Sequence, residues 1–213
     1  MRAWFTKEKL KKVPAMVTAV ILMGICVSLL KMTSFGPDPC STMNYGVAGI
    51  LGIPFGVYQM CLNIVVFIII FFIDNTMLGL GSFGNMILVG YAADFTTWLV
   101  GKIFGISAIT DMTVRIIVML VSLTVFILAA AVYMNCGLGT APYDATSFLI
   151  HKKLFADRGS KIPFRVIRII YDTVVTLIGY LTGGGVGLVT IIMVPTLGIA
   201  VDKVGLIMRR NEA

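Results

Sequence analysis

Long apolar runs place the first constraint on what this chain can fold into. Residues 13–30, 53–73 and 114–134 each form such a run, and each is about as long as a bilayer-spanning helix, which needs roughly 20 residues. Charged residues make up only 13% of the chain, about half the share found in soluble domains. A chain with so few charges cannot cover its surface in water, so the sequence predicts an integral membrane protein that partners with the lipid bilayer.

Hydropathy divides the chain into six predicted spans: 13–31, 54–73, 81–104, 113–134, 163–182 and 186–208. With the N-terminus in the cytoplasm, 14 of the 17 basic residues fall on the cytoplasmic side, and only Lys31, Lys102 and Arg115 fall outside. Because basic residues mark the cytoplasmic side, both termini are expected there. The net charge of +7 is thus a topology signal, and we expect no nucleic-acid partner.

A repeated pattern divides the single membrane domain, 1–213, into two halves. The segment "IPFGVYQMCLN" at 53–63 returns as "IPFRVIRIIYD" at 162–172. Each half also contains a break rich in Gly and Pro, followed by a short helix. Aligning the halves pairs these positions: Gly36 with Gly139, Pro39 with Pro142, Ser41 with Asp144, Gly81 with Gly187, Gly90 with Gly198 and Asp94 with Asp202.

The repeat predicts the fold class. Three spans per half is an odd number, so the second copy enters the membrane from the opposite side. We expect an all-α membrane protein of six transmembrane helices in two inverted three-helix repeats, 13–105 and 113–208. Each repeat carries a short helix after its break, which either re-enters the membrane or lies on its surface. Inverted repeats of this kind build transporters with a site near the bilayer midplane.

The motifs also resemble a known family. "G-x-x-P-x-D/S" before a short helix, then "G-I-P-F", then "G-L-G-S-x-x-N…G-Y-x-x-D" is similar to the YczE/YyaS/YitT-type bacterial membrane proteins. The first break departs from that pattern in having no Trp, and the second half has Thr190 and Ile191 near the expected Asn. The resemblance implies a bacterial inner-membrane location and the same architecture. Asn85, the Asn of the third motif, becomes a candidate substrate-binding residue.

Charged and polar side chains within the spans are the other candidates for a substrate site, because burying them in a membrane is costly. Asp172 lies about mid-span, and Arg168 precedes it at the i, i+4 spacing that brings helical side chains together. Asn63 occupies the matching depth in the first half. The alternative is an internal ion pair that only neutralises itself.

Asp94 and Asp202 form a second pair, displaced toward opposite membrane faces. Carboxylates placed in this way are suited to carry protons with access from either side. The alternative is that both reach the interface or cap helices that kink at Gly90 and Gly198.

The two breaks are the third candidate. Pro39 with Ser41, and Pro142 with Asp144, are typical of helix starts. If the short helices enter the membrane, their N–H groups face an anionic or acceptor group of a substrate. The alternative is a pair of amphipathic helices on the membrane surface.

The sequence lacks the residue sets that dinucleotide binding, metal binding or catalysis would require. The stretch Gly79-x-Gly81-x-x-Gly84 matches a dinucleotide fingerprint, but it lies between spans without a βαβ unit, so we expect it to permit close helix approach. No metal, cofactor or catalytic set is predicted. The leading function is a secondary transporter for a small polar solute, with or without proton coupling; the alternatives are a passive channel of aquaporin-like plan and a non-transporting assembly or scaffold protein. Small residues at 183–185 and 187 would permit a homodimer.

Overall fold

The computed structural model describes residues 6–159 and 162–212, with the side chains at 202 and 207–212 outside the description. Within these ranges the chain is helical and contains no strand. The eight α-helices are α1 (Lys7–Met32), α2 (Pro39–Leu51), α3 (Phe55–Ile73), α4 (Leu80–Phe104), α5 (Met112–Asn135), α6 (Pro142–Ile150), α7 (Phe164–Leu181) and α8 (Leu188–Glu212). A π-helical turn, His151–Phe155, continues α6.

Five of these helices, α1, α3, α4, α5 and α8, are long and apolar enough to cross a membrane. They indicate a multi-pass membrane protein. The remaining predicted span, 163–182, corresponds to α7, which has 18 residues but carries Arg165, Arg168 and Asp172. Because of these three charges, α7 is not among the helices apolar enough to cross a membrane, although its position along the chain matches the predicted span.

Local chemistry explains where the helices begin and end. Asp38 and Asp111 cap α2 and α5, each with a carboxylate oxygen that accepts a backbone N–H of the first turn. Pro39 takes the first helical position of α2, where the missing N–H costs nothing. Gly52 and Gly105 follow α2 and α4 in the left-handed conformation, which glycine adopts without steric penalty.

Contacts along α1 and α5 fix the directions of the long helices. Gly24 of α1 meets Val89 of α4, and Ser28 hydrogen-bonds Thr97 further along both helices at 2.8 Å, so α1 and α4 run parallel. The start of α5 lies at the end of α1, because Arg115 Nε donates to Thr33 O at 2.7 Å. Helices α1 and α5 are thus antiparallel.

The two Gly/Pro breaks make the same kind of contact with the last helix of the other half. Phe35 O accepts from Val189 N at 2.9 Å in one break, and Leu138 O accepts from Gly81 N at 2.7 Å in the other. Each break therefore docks its backbone on the first turn of a long helix, α8 in the first case and α4 in the second.

A hydroxyl repeats this correspondence one step further along each break. Thr190 Oγ1 donates to Pro37 O at 2.7 Å, and Ser82 Oγ donates to Thr140 O at 2.6 Å. The hydroxyl oxygens of Thr190 and Ser82 in turn accept from Gly187 N and Gly79 N, respectively. The structural counterpart of Gly187 is therefore Gly79, and the predicted match with Gly81 is wrong by two residues.

Glycines allow α2 to lie close to the end of α7. A side chain at Gly184 would collide with the carbonyl of Thr42, and one at Gly187 with that of Phe35. These two glycines are thus occupied by contacts within the chain. Gly79 and Gly84 do meet neighbouring segments closely, at Leu138 and Met16, as the sequence predicts.

Candidate functional site

The N-terminal ends of α2 and α6 meet at a cavity of about 110 Å³ inside the bundle. Its polar wall is formed by Asp38, Cys40, Ser41, Gln59, Asn85, Tyr143, Asp144, Arg168 and Asp172. We call this the central cavity. Pro39 and the neighbours of Pro142 line it as well, so both broken segments border one cavity.

Arg168 joins two carboxylates from different helices. Its Nη2 lies 2.7 Å from Asp144 Oδ1 of α6, and its Nε lies 3.0 Å from Asp172 Oδ2 one turn further along α7. Tyr143 donates its hydroxyl to the other oxygen of Asp172 at 2.6 Å. The i, i+4 pair predicted from the sequence is confirmed. The structure adds Asp144 and Tyr143, which tie the start of α6 to the middle of α7.

Asp38 brings a further carboxylate to the central cavity, and sequence analysis did not select it. It is only 8% exposed. Its Oδ2 accepts from Ser41 N at 3.2 Å, whereas its Oδ1 has no hydrogen-bond partner among the described residues. An Asp directly before a Pro at a helix start is a recognisable cap signal. That signal predicts a local turn and carries no information about what the second oxygen faces.

Gln59 is a second contributor that sequence analysis missed. It is 4% exposed and lines the central cavity, and its Oε1 also has no partner in the described part of the chain. The predicted residue of this helix, Asn63, lies one turn further along α3, where it is buried but does not line the cavity. Asn85 and Ser41, two other predicted binding residues, do line the cavity, and their role in binding stays a prediction.

Asp94 lies away from the central cavity. Its Oδ2 accepts from Gly56 N at 2.7 Å, which satisfies an N–H of the first turn of α3. It lines a second cavity together with Lys31 and Tyr45, where Lys31 Nζ lies 3.5 Å from the centre of the Tyr45 ring. The hydrogen-bond partner of Asp94, Gly56 N, belongs to α3. The helical spacing along α4 therefore could not predict it.

Asp202 and the paired glycines have different outcomes. The Asp202 side chain lies outside the described residues, and its role stays a prediction. Gly198 of α8 lines the central cavity, whereas Gly90 of α4 packs against Gly56. The two glycines therefore differ in surroundings, although their sequence positions match.

An ion pair between Lys152 and Asp74 lies at the end of the bundle where α3 ends. Lys152 Nζ lies 2.5 Å from Asp74 Oδ2, with 43% of the lysine side chain but only 8% of the aspartate side chain exposed. Hydrogen bonds from Lys152 and Thr76 hold the pKa of the Asp74 carboxyl well below its usual range. The pair raises the pKa of Lys152. It fastens the turn after α6 to the end of α3.

Aromatic rings line the central cavity toward this end. Phe148 of α6 stacks on Phe164, the first residue of α7, with ring centroids 4.2 Å apart.

Among the described residues, no group of three His, Cys, Asp or Glu side chains is arranged to hold a metal ion. The cavity is thus a mixed surface of carboxylates, amides, one guanidinium and aromatic rings.

Comparison with known proteins gives a family without an assigned activity. Residues 10–205 match the model of a family of unknown function, DUF6198. The chain is 24% identical to an uncharacterized protein of Haemophilus influenzae over 192 residues, which cover 90% of this chain and 82% of that protein. No solved structure matches. Since the family model covers nearly the whole chain, the protein belongs to the DUF6198 family.

Proposed function

We propose that the protein is a secondary transporter for a small polar solute in the bacterial inner membrane. The observation that carries the proposal is the central cavity, where two broken helices meet and buried polar atoms of Asp38 and Gln59 lack partners within the described chain. Transporters bind substrate near the midplane between repeats, at the ends of discontinuous helices. The motif resemblance to YczE/YyaS/YitT-type proteins is consistent with this location. We propose no catalytic step.

The transport proposal includes six spans arranged as two inverted repeats. Its support is the matched contact of each break with the other half: Phe35 with Val189, and Leu138 with Gly81. Helices α1 and α5, the first helix of each half, are antiparallel. Inverted repeats require this, because corresponding helices of the two halves then cross the membrane in opposite directions. The excess of basic residues at one end favours cytoplasmic termini. In this arrangement α2 and α6 are the re-entrant segments.

Proton coupling through Asp94 and Asp202 is part of the same proposal. Asp94→Asn keeps an oxygen for the Gly56 N–H but cannot release a proton. We expect this variant to lose gradient-driven uptake while it retains solute exchange without a gradient. Asp111→Asn is the matched control, because it also neutralises a helix-associated carboxylate but lies at the start of α5. If Asp94→Asn keeps full gradient-driven uptake, its carboxylate is only a cap for α3.

A proteoliposome experiment tests transport itself. A pooled panel of small amines, amino acids, sugars and carboxylates is offered outside the vesicles, with and without an imposed pH gradient, and the contents are identified by mass spectrometry. A transporter gives saturable uptake of one chemical class, above protein-free vesicles. Uptake that rises linearly with concentration would instead indicate a passive channel. Vesicles with correctly folded protein and no uptake of any class would favour an assembly or scaffold role.

A further inference from the structure

We propose that the central cavity takes a small organic cation, an amine or a guanidine whose N–H groups point at Asp38 and Gln59. The inference rests on the proposed function, because it names the substrate class of the same site. It rests on three features of the cavity: the formal charge of its lining residues, the acceptor oxygens that lack donors, and the apolar side chains opposite the polar ones.

The formal charges of the side chains that line the central cavity, counted with every carboxyl ionised, sum to a negative value. The described lining residues include three carboxylates, those of Asp38, Asp144 and Asp172, and a single cationic side chain, Arg168. Arg168 is held by two of the carboxylates at 2.7 and 3.0 Å. Its charge is therefore shared between them, and the formal excess favours a positive ligand over an anion.

The unused hydrogen-bonding capacity is that of acceptors. Asp38 Oδ1 and Gln59 Oε1 are both buried and lack partners among the described residues, and both residues line the cavity. A buried acceptor without a donor is destabilising, because it has lost its hydrogen bonds to water and gained none in the fold. Two such acceptors on one cavity are complementary to a ligand that brings N–H or O–H donors, and N–H donors on a cation also match the charge.

The remaining walls accept the apolar part of such a ligand. Tyr143, Phe148 and Phe164 present rings from α6 and α7, and Met23, Val27 and Val89 line the side formed by α1 and α4. Aromatic faces attract cations as well as apolar groups. The cavity of about 110 Å³ has room for roughly seven to eleven water-sized groups, at about 10–15 Å³ for each.

The observations disfavour two other occupants. No group of three potential metal ligands is arranged for a metal ion among the described residues, so a bare metal cation lacks a ligand set. An inorganic or carboxylate anion would need a free cationic group, and Arg168 is already paired twice. The chemistry thus selects an organic cation.

Three probes of nearly equal size and shape test the class: phenylguanidinium, phenylurea and benzoate, which differ mainly in charge. Binding to the full-length protein in lipid nanodiscs is measured by calorimetry at neutral pH, and uptake of each probe is measured in proteoliposomes. We expect phenylguanidinium to bind at least about 10-fold more tightly than phenylurea, since a charge-assisted hydrogen bond is roughly twice as strong as a neutral one. Benzoate should not bind.

Two variants and a control assign that preference to the cavity. Asp38→Asn keeps the oxygen that caps α2 but removes the charge, and it should reduce phenylguanidinium affinity at least about 10-fold without changing phenylurea affinity. Gln59→Met keeps the side-chain volume and should cost about 2- to 10-fold. Asp111→Asn caps α5 in the same manner away from the cavity, and it should leave binding unchanged.

The outcomes separate the substrate class from transport. Selective phenylguanidinium binding that depends on Asp38, with no uptake, supports the cation site and refutes transport of this probe class. Equal binding of phenylguanidinium and phenylurea, or tighter binding of benzoate, overturns the cation site even if uptake of another solute is found. An effect of Asp111→Asn as large as that of Asp38→Asn would also overturn it, because the charge would then act without the cavity.

Discussion

Arg168 is the side chain on which the electrostatics of the central cavity depend most. It is the single cation among the described lining residues and pairs with carboxylates from two helices, Asp144 on α6 and Asp172 on its own helix. The sequence alone suggests that removing Asp172 would leave Arg168 unpaired. The structure changes this expectation, because Asp144 remains as a partner.

We therefore predict that Arg168→Met destabilises the protein more than Asp172→Asn does. The first change leaves the buried carboxylate of Asp172 and the partly buried one of Asp144 without a counter-charge; breaking a buried pair in this way typically costs about 3–5 kcal/mol. The second leaves Arg168 paired with Asp144, and the new amide can still accept from Tyr143. Melting temperatures in detergent or nanodiscs measure the order. Arg165→Met is the control, since Arg165 is exposed on the same helix. Equal losses at 168 and 165 would show that the pairing is not important for stability.

At the level of helices, the approach of α2 to α7 depends on the absence of side chains. Gly46 and Gly49 lie one turn apart in α2, yet their surroundings differ. A Cβ at Gly46 would lie 2.9 Å from Thr182 Cβ and 3.0 Å from Gly184 N, whereas a Cβ at Gly49 would meet nothing within 4 Å.

The two glycines make a matched pair for mutation. Gly46→Ala should destabilise the protein, because Thr182 and the backbone at Gly184 have to move to admit the methyl group; overpacking typically costs about 1–3 kcal/mol. Gly49→Ala should be neutral or stabilise by up to about 1 kcal/mol through helix propensity. Thermal unfolding of both variants gives the comparison. Equal behaviour of the two would refute close packing of α2 on α7.

The ion pair between the turn after α6 and the end of α3 has a defined pH dependence. The pKa of Asp74 is lowered in the folded protein, so its contribution is complete above the usual carboxyl pKa of about 4. That contribution is lost as the pH falls through the lower folded value. We predict that Asp74→Asn is less stable than the parent at neutral pH and that the difference shrinks below about pH 4.

Unfolding of both proteins across the acid range measures this difference directly. The effect should be small, because 43% of the Lys152 side chain is exposed and solvent screens exposed charges. Asp157→Asn is the control, since Asp157 pairs with Lys153 where both side chains are about half exposed, at 47% and 48%. A difference that grows on acidification would contradict the assignment.

For the whole molecule, regular patterns were readable from the sequence and long-range pairings were not. All six predicted spans correspond to helices, because apolar runs and caps are local signals. The pair of Arg168 with Asp172 follows from helix periodicity in the same way. The register between Gly79 and Gly187 was missed, because backbone hydrogen bonds between distant segments decide it. Asp38 and Gln59 were missed because only the folded bundle shows which polar atoms remain without partners.

Topology gives a prediction for the whole chain. In a background with the four native cysteines replaced by alanine, Ser107→Cys between α4 and α5 should react with an impermeant maleimide in intact cells. Asp157→Cys, between α6 and α7, should react only after permeabilisation, because the basic residues there favour the cytoplasm. The opposite labelling pattern would reverse the orientation. Reaction of both sites from one side would exclude an odd number of spans between them.

The contacts of the two breaks also impose an order on biosynthesis. Leu138 pairs with Gly81, a residue that has already left the ribosome when the second break is made. Phe35 instead pairs with Val189, and Pro37 with Thr190, so the first break waits until almost the entire chain has been translated. Until α8 has been translated, the segment that carries Asp38 lacks both of these contacts. Completion of the central cavity is therefore tied to the last helix, and a chain truncated before α8 would retain most of its spans without ever forming the site.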